Sequence, residues 1–157
     1  MKALLVAFVL FASFNAAAGP KYPTAPNPNV TPGSLCSHPD KYRYPENIPY
    51  CSRNVSSGLK WEIIRAYDQR FGYQIANRRD LFKIDHYIPL CAGGSNSPDN
   101  LWPQHQSVYE RTDPLEQLVC VKMSEGKLRQ RQALDLIRKG KNNLELIPRM
   151  LKYLNSL

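Results

Sequence analysis

After Ala18 the chain has no apolar run long enough to cross a bilayer as a helix. It lacks an internal repeat of roughly 20 to 50 residues, which excludes a solenoid or a propeller. No Cys-x-x-Cys pair is present, which argues against a structural zinc knuckle, and no helix-turn-helix or zinc-finger module is there to read a base sequence. What it does have is the balance of one globular domain. Of 157 residues 43% are hydrophobic and 22% charged, so the chain is not wholly disordered. The formal net charge is +8.

The start of the chain points to export. Lys2 is followed by an apolar stretch from Ala3 to Phe14 and then by Ala16, Ala17 and Ala18. A basic start, a short greasy segment and small residues at the cleavage position are the pattern of a secretory signal peptide over residues 1–18. The mature protein is expected to begin near Gly19, to be secreted or periplasmic, and to have no membrane association after cleavage. In an oxidising compartment the four cysteines read as two disulfides. Three pairings exist. The preferred one joins Cys36 to Cys51 across a Pro-rich loop and Cys91 to Cys120 between a loop and a later helix.

Eight of the thirteen prolines fall between Gly19 and Pro49. Proline fixes φ and removes a donor, so residues 19–34 are expected to form an extended or disordered leader ahead of a single domain over 35–157. Tyr42, Tyr44 and Tyr50 suggest an irregular segment packed on that domain. Helices are expected from Asn54, with Asn54 or Ser56 as cap, to Phe71 before Gly72, and from Ser107 to Glu125 before Gly126. Two more run from Leu128 to Lys139 before Gly140 and from Asn143 to Leu154, with Pro148 as a kink or a first turn. Leu81–Leu90 is rich in β-formers and stops at Pro89. A Gly93-Gly94-Ser95-Asn96 turn follows, and Asn100–Pro103 reads as the returning strand. The fold class is α+β and mostly helical, built around one small hairpin. Trp61, Tyr67, Phe71 and Trp102 read as core.

The polar residues of the hairpin region are Asp85, His86, Asn100 and His105. A carboxylate beside an imidazole can hold a divalent cation and leave a base next to it. Adjacent strand residues point to opposite faces, so a local twist or bulge is required for Asp85 and His86 to share a site. The structural alternative, of equal weight on residues alone, is a satisfied buried histidine and a turn carboxylate.

The stretch Ile84-Asp85-His86-Tyr87-Ile88-Pro89-Leu90, then Gly93-Gly94-Ser95-Asn96, then Pro98-Asp99-Asn100-Leu101-Trp102-Pro103-Gln104 resembles the HNH endonuclease family, in particular its exported members. The likeness is close from Ile84 to Gln104. It is looser over the helical flank to Glu125 and over Tyr50 to Val55. The resemblance implies a ββα-metal (His-Me finger) core in which two strands and a helix clasp one divalent ion. It implies His86 as the general base, Asp85 as a metal ligand and Asn100 as the brace of the loop that orients the base. The last motif position, usually His or Asn, falls near Tyr109 and Glu110. His105, one turn earlier, is the candidate ligand there, with Glu110 as runner-up. Mg or Mn is the expected metal, and Zn or Ni is compatible with such donors.

The chemistry explains the residue types. A phosphodiester is anionic and resists water, a metal offsets the charge that grows on its oxygens, and a neutral imidazole takes the water's proton near neutral pH. Arg78, Arg79 and Arg111, close in sequence to the motif, are the expected phosphate contacts. The basic residues of the later helices would bind a polyanion with little sequence preference. The expected activity is hydrolysis of DNA, with RNA as a second substrate, to give a 5′-phosphate and a 3′-hydroxyl. The rival expectation is a non-catalytic exported domain that binds nucleic acid or another polyanion on the same scaffold. Oligomeric state leaves no trace in the sequence.

Overall fold

Ser56 starts the first long helix for a local reason. Its backbone is extended and its hydroxyl accepts from the Leu59 N–H, while Gly72, in the left-handed region at φ 70, ends the run. Helix α1 therefore spans Ser57–Phe71. A computed structural model describes residues 21–157, so the signal peptide expected over 1–18 lies outside the described residues.

The molecule is α+β and mostly helical. Two short antiparallel sheets carry its strands. The first pairs β1 (Lys41–Arg43) with β2 (Ile48–Tyr50), in the region expected to be irregular. Tyr44 and Asn47, both at positive φ, make the turn between them without glycine, a turn chemistry the sequence does not advertise. The second sheet is the expected hairpin. Strand β3 (Phe82–His86) pairs with β4 (Leu101–His105) in unbroken register, from Phe82 opposite His105 to His86 opposite Leu101.

Helices α2 (Gln106–Ser124), α3 (Gln130–Asn142) and α4 (Ile147–Asn155) follow. Pro148 lies in the first turn of α4, where its missing N–H costs nothing. Helix α3 does not stop at Gly140 as expected. Gly140 is buried inside it, and a Cβ there would meet Leu115 of α2 at 2.4 Å. The glycine therefore serves close helix packing rather than termination.

Two apolar clusters flank the hairpin. Leu115, Val119, Ile137, Met150 and Leu154 join α2, α3 and α4 over Ile88 and Ala92. Ile63, Ile64, Tyr67, Phe82, Ile84 and Trp102 join α1 to the strands. Trp61 and Phe71, expected in the core, are exposed at 42% and 36%, because α1 presents its buried face through Ile63, Ile64 and Tyr67 instead.

From Lys21 onward the segment expected as an extended or disordered leader is irregular in path and packs on the domain. Pro23, Pro26 and Thr31 are buried. Thr31 Oγ1 lies 2.8 Å from the Tyr67 hydroxyl and donates to Leu101 O, and the Gly33 N–H donates to Asp99 O. Prolines favour an extended path but do not prevent it from packing. Both disulfides take the preferred pairing, Cys36–Cys51 and Cys91–Cys120, with Cα–Cα distances of 5.8 and 5.7 Å. Each contributes about 2–4 kcal/mol by restricting the unfolded chain. No helix among the described residues is long and apolar enough to cross a membrane.

Candidate functional site

Asp85 and His86 end β3, and both are nearly buried, at 9% and 2% exposure. No bulge brings them together, because the register is continuous. The Asp85 side chain instead folds back on the next residue. Its Oδ1 accepts the His86 backbone N–H at 2.9 Å and lies 3.9 Å from His86 Nδ1. The other ring nitrogen, Nε2, is 3.1 Å from Asn96 Oδ1.

Asn100 is fully buried and braces the loop between the strands. Its Oδ1 accepts from the Ile88 N–H at 2.8 Å, and its Nδ2 donates to the carbonyls of Ile88 and Ser95 at 3.0 and 2.9 Å. Gly94 makes this crossing possible, since a Cβ there would fall 1.9 Å from Ile88 O and 2.9 Å from the Asn100 amide.

Helix α2 supplies what the sequence reading did not anticipate. One carboxylate oxygen each from Asp85, Asp113 and Glu116 lie within 4.8 Å of one another, and this is the acidic set of metal-holding size found among the described residues. Asp113 lies one helical turn beyond Tyr109 and Glu116 almost two, so the α2 contribution comes later than the expected spacing. A carboxylate pair at i and i+3 on a helix was the available signal.

Two lysines already balance these acids. Lys83 Nζ is 3.0 Å from Asp85 Oδ2 and donates to Asp113 at 2.6 and 2.8 Å, and it also sits over the Tyr109 ring. Lys141, fully buried, donates to His86 O at 2.5 Å. It lies 2.6 Å from Glu116 Oε1, close enough for an ion pair though poorly aligned for a hydrogen bond. Gly140 is what lets α3 come near enough for that lysine to reach. Burial alone would push the Asp85 carboxyl up. The His86 contact and the charges of Lys141 and Lys83 outweigh it and hold Asp85 well below the usual carboxylate range. Burial pushes Glu116 the other way, up to about 7, with Lys141 opposing only in part.

His105 and Glu110 do not join this cluster. His105 stands at the far end of the hairpin, opposite Phe82, stacked on Tyr22 with ring centroids 3.8 Å apart. Its Nδ1 accepts from the Ser107 N–H and caps α2. Burial and the charge of Arg78 lower its pKa, as suits a ring that must stay neutral to accept. Glu110 is exposed and accepts from Gln106.

The expected phosphate contacts also separate. Arg79 donates to Phe82 O, and Arg111 is tied to Glu145 and Leu144 O at 2.9 Å each, so both are engaged in the fold. Arg78 lines a cleft with Tyr22, Tyr73 and His105 at the far end. The guanidinium nearest the Asp85–His86 pair belongs instead to Arg53, which is half exposed. Its Nη1 is 4.0 Å from Asp85 Oδ1, and its Nη2 donates to Ile84 O at 3.4 Å.

The donor set suits a hard divalent ion. Its oxygens are anionic and closely spaced, and Lys83, 35% exposed on a flexible stem, can leave Asp85 and Asp113. Glu116 is less free, because its lysine is fully buried. Comparison with protein-family models, with curated proteins and with solved structures finds no match.

Proposed function

We propose that the chain is an exported, HNH-type, metal-dependent endonuclease that hydrolyses DNA, with RNA as a second substrate, at little sequence preference. The observation that carries this reading is the covered imidazole of His86, one ring nitrogen held by Asn96 and the other turned to the Asp85 carboxylate beside the acids of α2. The two disulfides suit an oxidising compartment.

His86 Nδ1 takes a proton from water, the hydroxide formed attacks phosphorus as the P–O3′ bond breaks, and the O3′ leaving oxygen takes a proton from a solvent water to become the 3′-hydroxyl. A base of this kind supplies about 10²–10⁴-fold in rate. Asp85 steadies the imidazolium that results, at 3.9 Å. Arg53 stands beside the same carboxylate oxygen and binds a non-bridging phosphate oxygen, where its charge offsets the charge that develops. Asp85 and Asp113 would hold the divalent ion, which supplies Lewis-acid stabilisation of the phosphoryl oxygens when bound. Lys83 must move aside for this, and its ammonium is then free to meet a neighbouring phosphate.

A second reading has one observation in its favour. Lys83 and Lys141 already neutralise the acidic set, as expected of a scaffold that binds a polyanion without cutting it. Digestion of supercoiled plasmid by the oxidised, exported protein separates the two. Nicking with Mg²⁺ or Mn²⁺, abolished by EDTA, is the outcome expected of the enzyme. A salt-sensitive gel shift with no nicking in either metal would replace the enzyme reading with the second.

A further inference from the structure

We propose that Asn96 is a positioning residue that fixes which nitrogen of His86 carries the hydrogen, and that the Cys36–Cys51 bridge maintains the frame in which it does so. The orientation of the Asn96 amide follows from its two other partners. Ser52 O can only accept, so the amide atom 2.7 Å from it is Nδ2. The Asn54 N–H can only donate, so the atom 3.3 Å from it is Oδ1. That same Oδ1 lies 3.1 Å from His86 Nε2. An oxygen with no hydrogen to give requires an N–H opposite it, so the neutral ring carries its hydrogen on Nε2 and its lone pair on Nδ1. Nδ1 is the nitrogen that faces Asp85.

The amide is needed because it has a competitor. Asp85 Oδ1 is a charged acceptor 3.9 Å from Nδ1, too far for a hydrogen bond in this arrangement but the stronger acceptor of the two. Without Asn96, a small ring rotation would bring Nδ1 to the carboxylate and draw the hydrogen there. The lone pair would then point away from Asp85.

The frame around Asn96 has two sides, and one disulfide joins them. Ser52 and Asn54 follow directly on Cys51, with the Ser52 N–H held by Asp40 Oδ2 at 2.5 Å. On the other side, the loop leading to Asn96 is paired with the chain leading to Cys36. Cys36 N donates to Gly93 O at 2.8 Å, Ser95 N donates to Ser34 O at 3.0 Å, and the Ser34 and Ser95 hydroxyls lie 2.6 Å apart. The Cys36–Cys51 bond closes this ring of contacts.

The catalytic consequence rests on the nuclease reading, whereas the hydrogen's position does not, so the test reads both. Long-range ¹H–¹⁵N correlation spectra of ¹⁵N-histidine-labelled protein at about pH 8, where an imidazole is ordinarily neutral, report which nitrogen bears the hydrogen. His38→Gln and His105→Gln assign the signals. The oxidised protein is expected to show His86 with its hydrogen on Nε2. Asn96→Ala is expected to shift it toward Nδ1, with kcat for plasmid nicking down about 10–100-fold at an unchanged KM. Asn96→Asp keeps an acceptor for Nε2 and Asn54. Although it gives up the donor to Ser52 O, it is expected to retain the Nε2 hydrogen and to hold kcat above that of Asn96→Ala, which a general loss of packing would not allow. The paired Cys36→Ser and Cys51→Ser substitution is expected to give a mixture of both forms. A hydrogen on Nδ1 in the unaltered protein, or an unchanged ring in Asn96→Ala, overturns the proposal. If no variant and no parent protein nicks DNA, the nuclease reading fails while the spectra still decide the role of Asn96.

Discussion

Two histidines stand on the same hairpin of two five-residue strands and have nothing else in common. His86 ends β3 opposite Leu101 and is covered, anchored through Asn96 and turned to a carboxylate. His105 ends β4 opposite Phe82, stacks on Tyr22 and serves its own helix as a cap. Four residues of strand separate the two levels, about 13 Å at the rise of an extended chain. Antiparallel register, rather than nearness in sequence to a motif, decides which side chains share a site. The pairing brings the turn end of the hairpin to the acids of α2 and leaves the open end to aromatic packing.

Substitution of His86 should break this contrast most severely. His86→Ala is expected to lower plasmid nicking about 10²–10⁴-fold, the share a positioned base supplies. Residual cleavage within tenfold of the parent, measured under conditions where chemistry limits the rate, would remove His86 from the role of base.

Next in size is the brace behind His86. Asn100→Ala strands the Ile88 N–H and two carbonyls in a buried place. Each uncompensated group costs about 1–3 kcal/mol, so a loss of about 3 kcal/mol or more is expected in urea denaturation. Nicking should fall with it, since the loop that carries Asn96 hangs from the same amide. A midpoint unchanged from the parent would mean that water replaces the brace at little cost.

The acids at the turn end give the contrast a pH signature. Glu116, raised to about 7 by burial against an ordinary value near 4.3, binds its proton more tightly folded than unfolded. Its contribution therefore weakens stability as pH rises through that window. Asp85 is depressed, so its contribution is present above about pH 4 and lost as the pH falls below. Stability from this pair of groups should peak between the two limbs. Glu116→Gln should flatten the upper limb and spare the lower one, as urea midpoints at about pH 3, 4.5, 6 and 7.5 would show. An upper limb that persists in Glu116→Gln assigns it to other groups.

Much of this arrangement is legible in the sequence, and the parts that are not share a cause. The hairpin and the four helices follow from local signals, namely β-rich runs around a Gly-Gly turn and Ser56 and Gly72 as caps, and the disulfides take the preferred one of the three pairings that four cysteines allow. Asp85, His86 and Asn100 lie close together because the loop of residues 87–100 folds back on the end of β3 through the Asn100 amide. Asp113, Glu116, Lys141 and Arg53 enter from other elements, and their approach depends on helix packing that no spacing rule encodes. Gly140 is the clearest case. As a breaker it would end α3, yet contact with Leu115 makes it the residue that admits Lys141 to the site. The prolines of residues 21–34 mislead in the same way, since local stiffness says nothing about the partner that Thr31 finds in Tyr67.

The smallest effect is expected at the open end of the hairpin. His105→Ala removes the acceptor of the Ser107 N–H and the ring that lies between Tyr22 and Phe82. Loss of a helix cap and of one stacked contact costs about 1–2 kcal/mol together. Nicking and its Mn²⁺ dependence should stay within about twofold, because the His105 ring contacts neither Asp85 nor the acids of α2. The cap also has a pH limit, because Nδ1 accepts only while the ring is neutral. With the pKa lowered from 6.5, the cap's contribution is present above that value and is lost as the pH falls below it, a slope that His105→Ala should abolish. A large rise in the Mn²⁺ concentration needed by His105→Ala, at unaltered stability, would instead place His105 among the ligands and dissolve the distinction between the two ends.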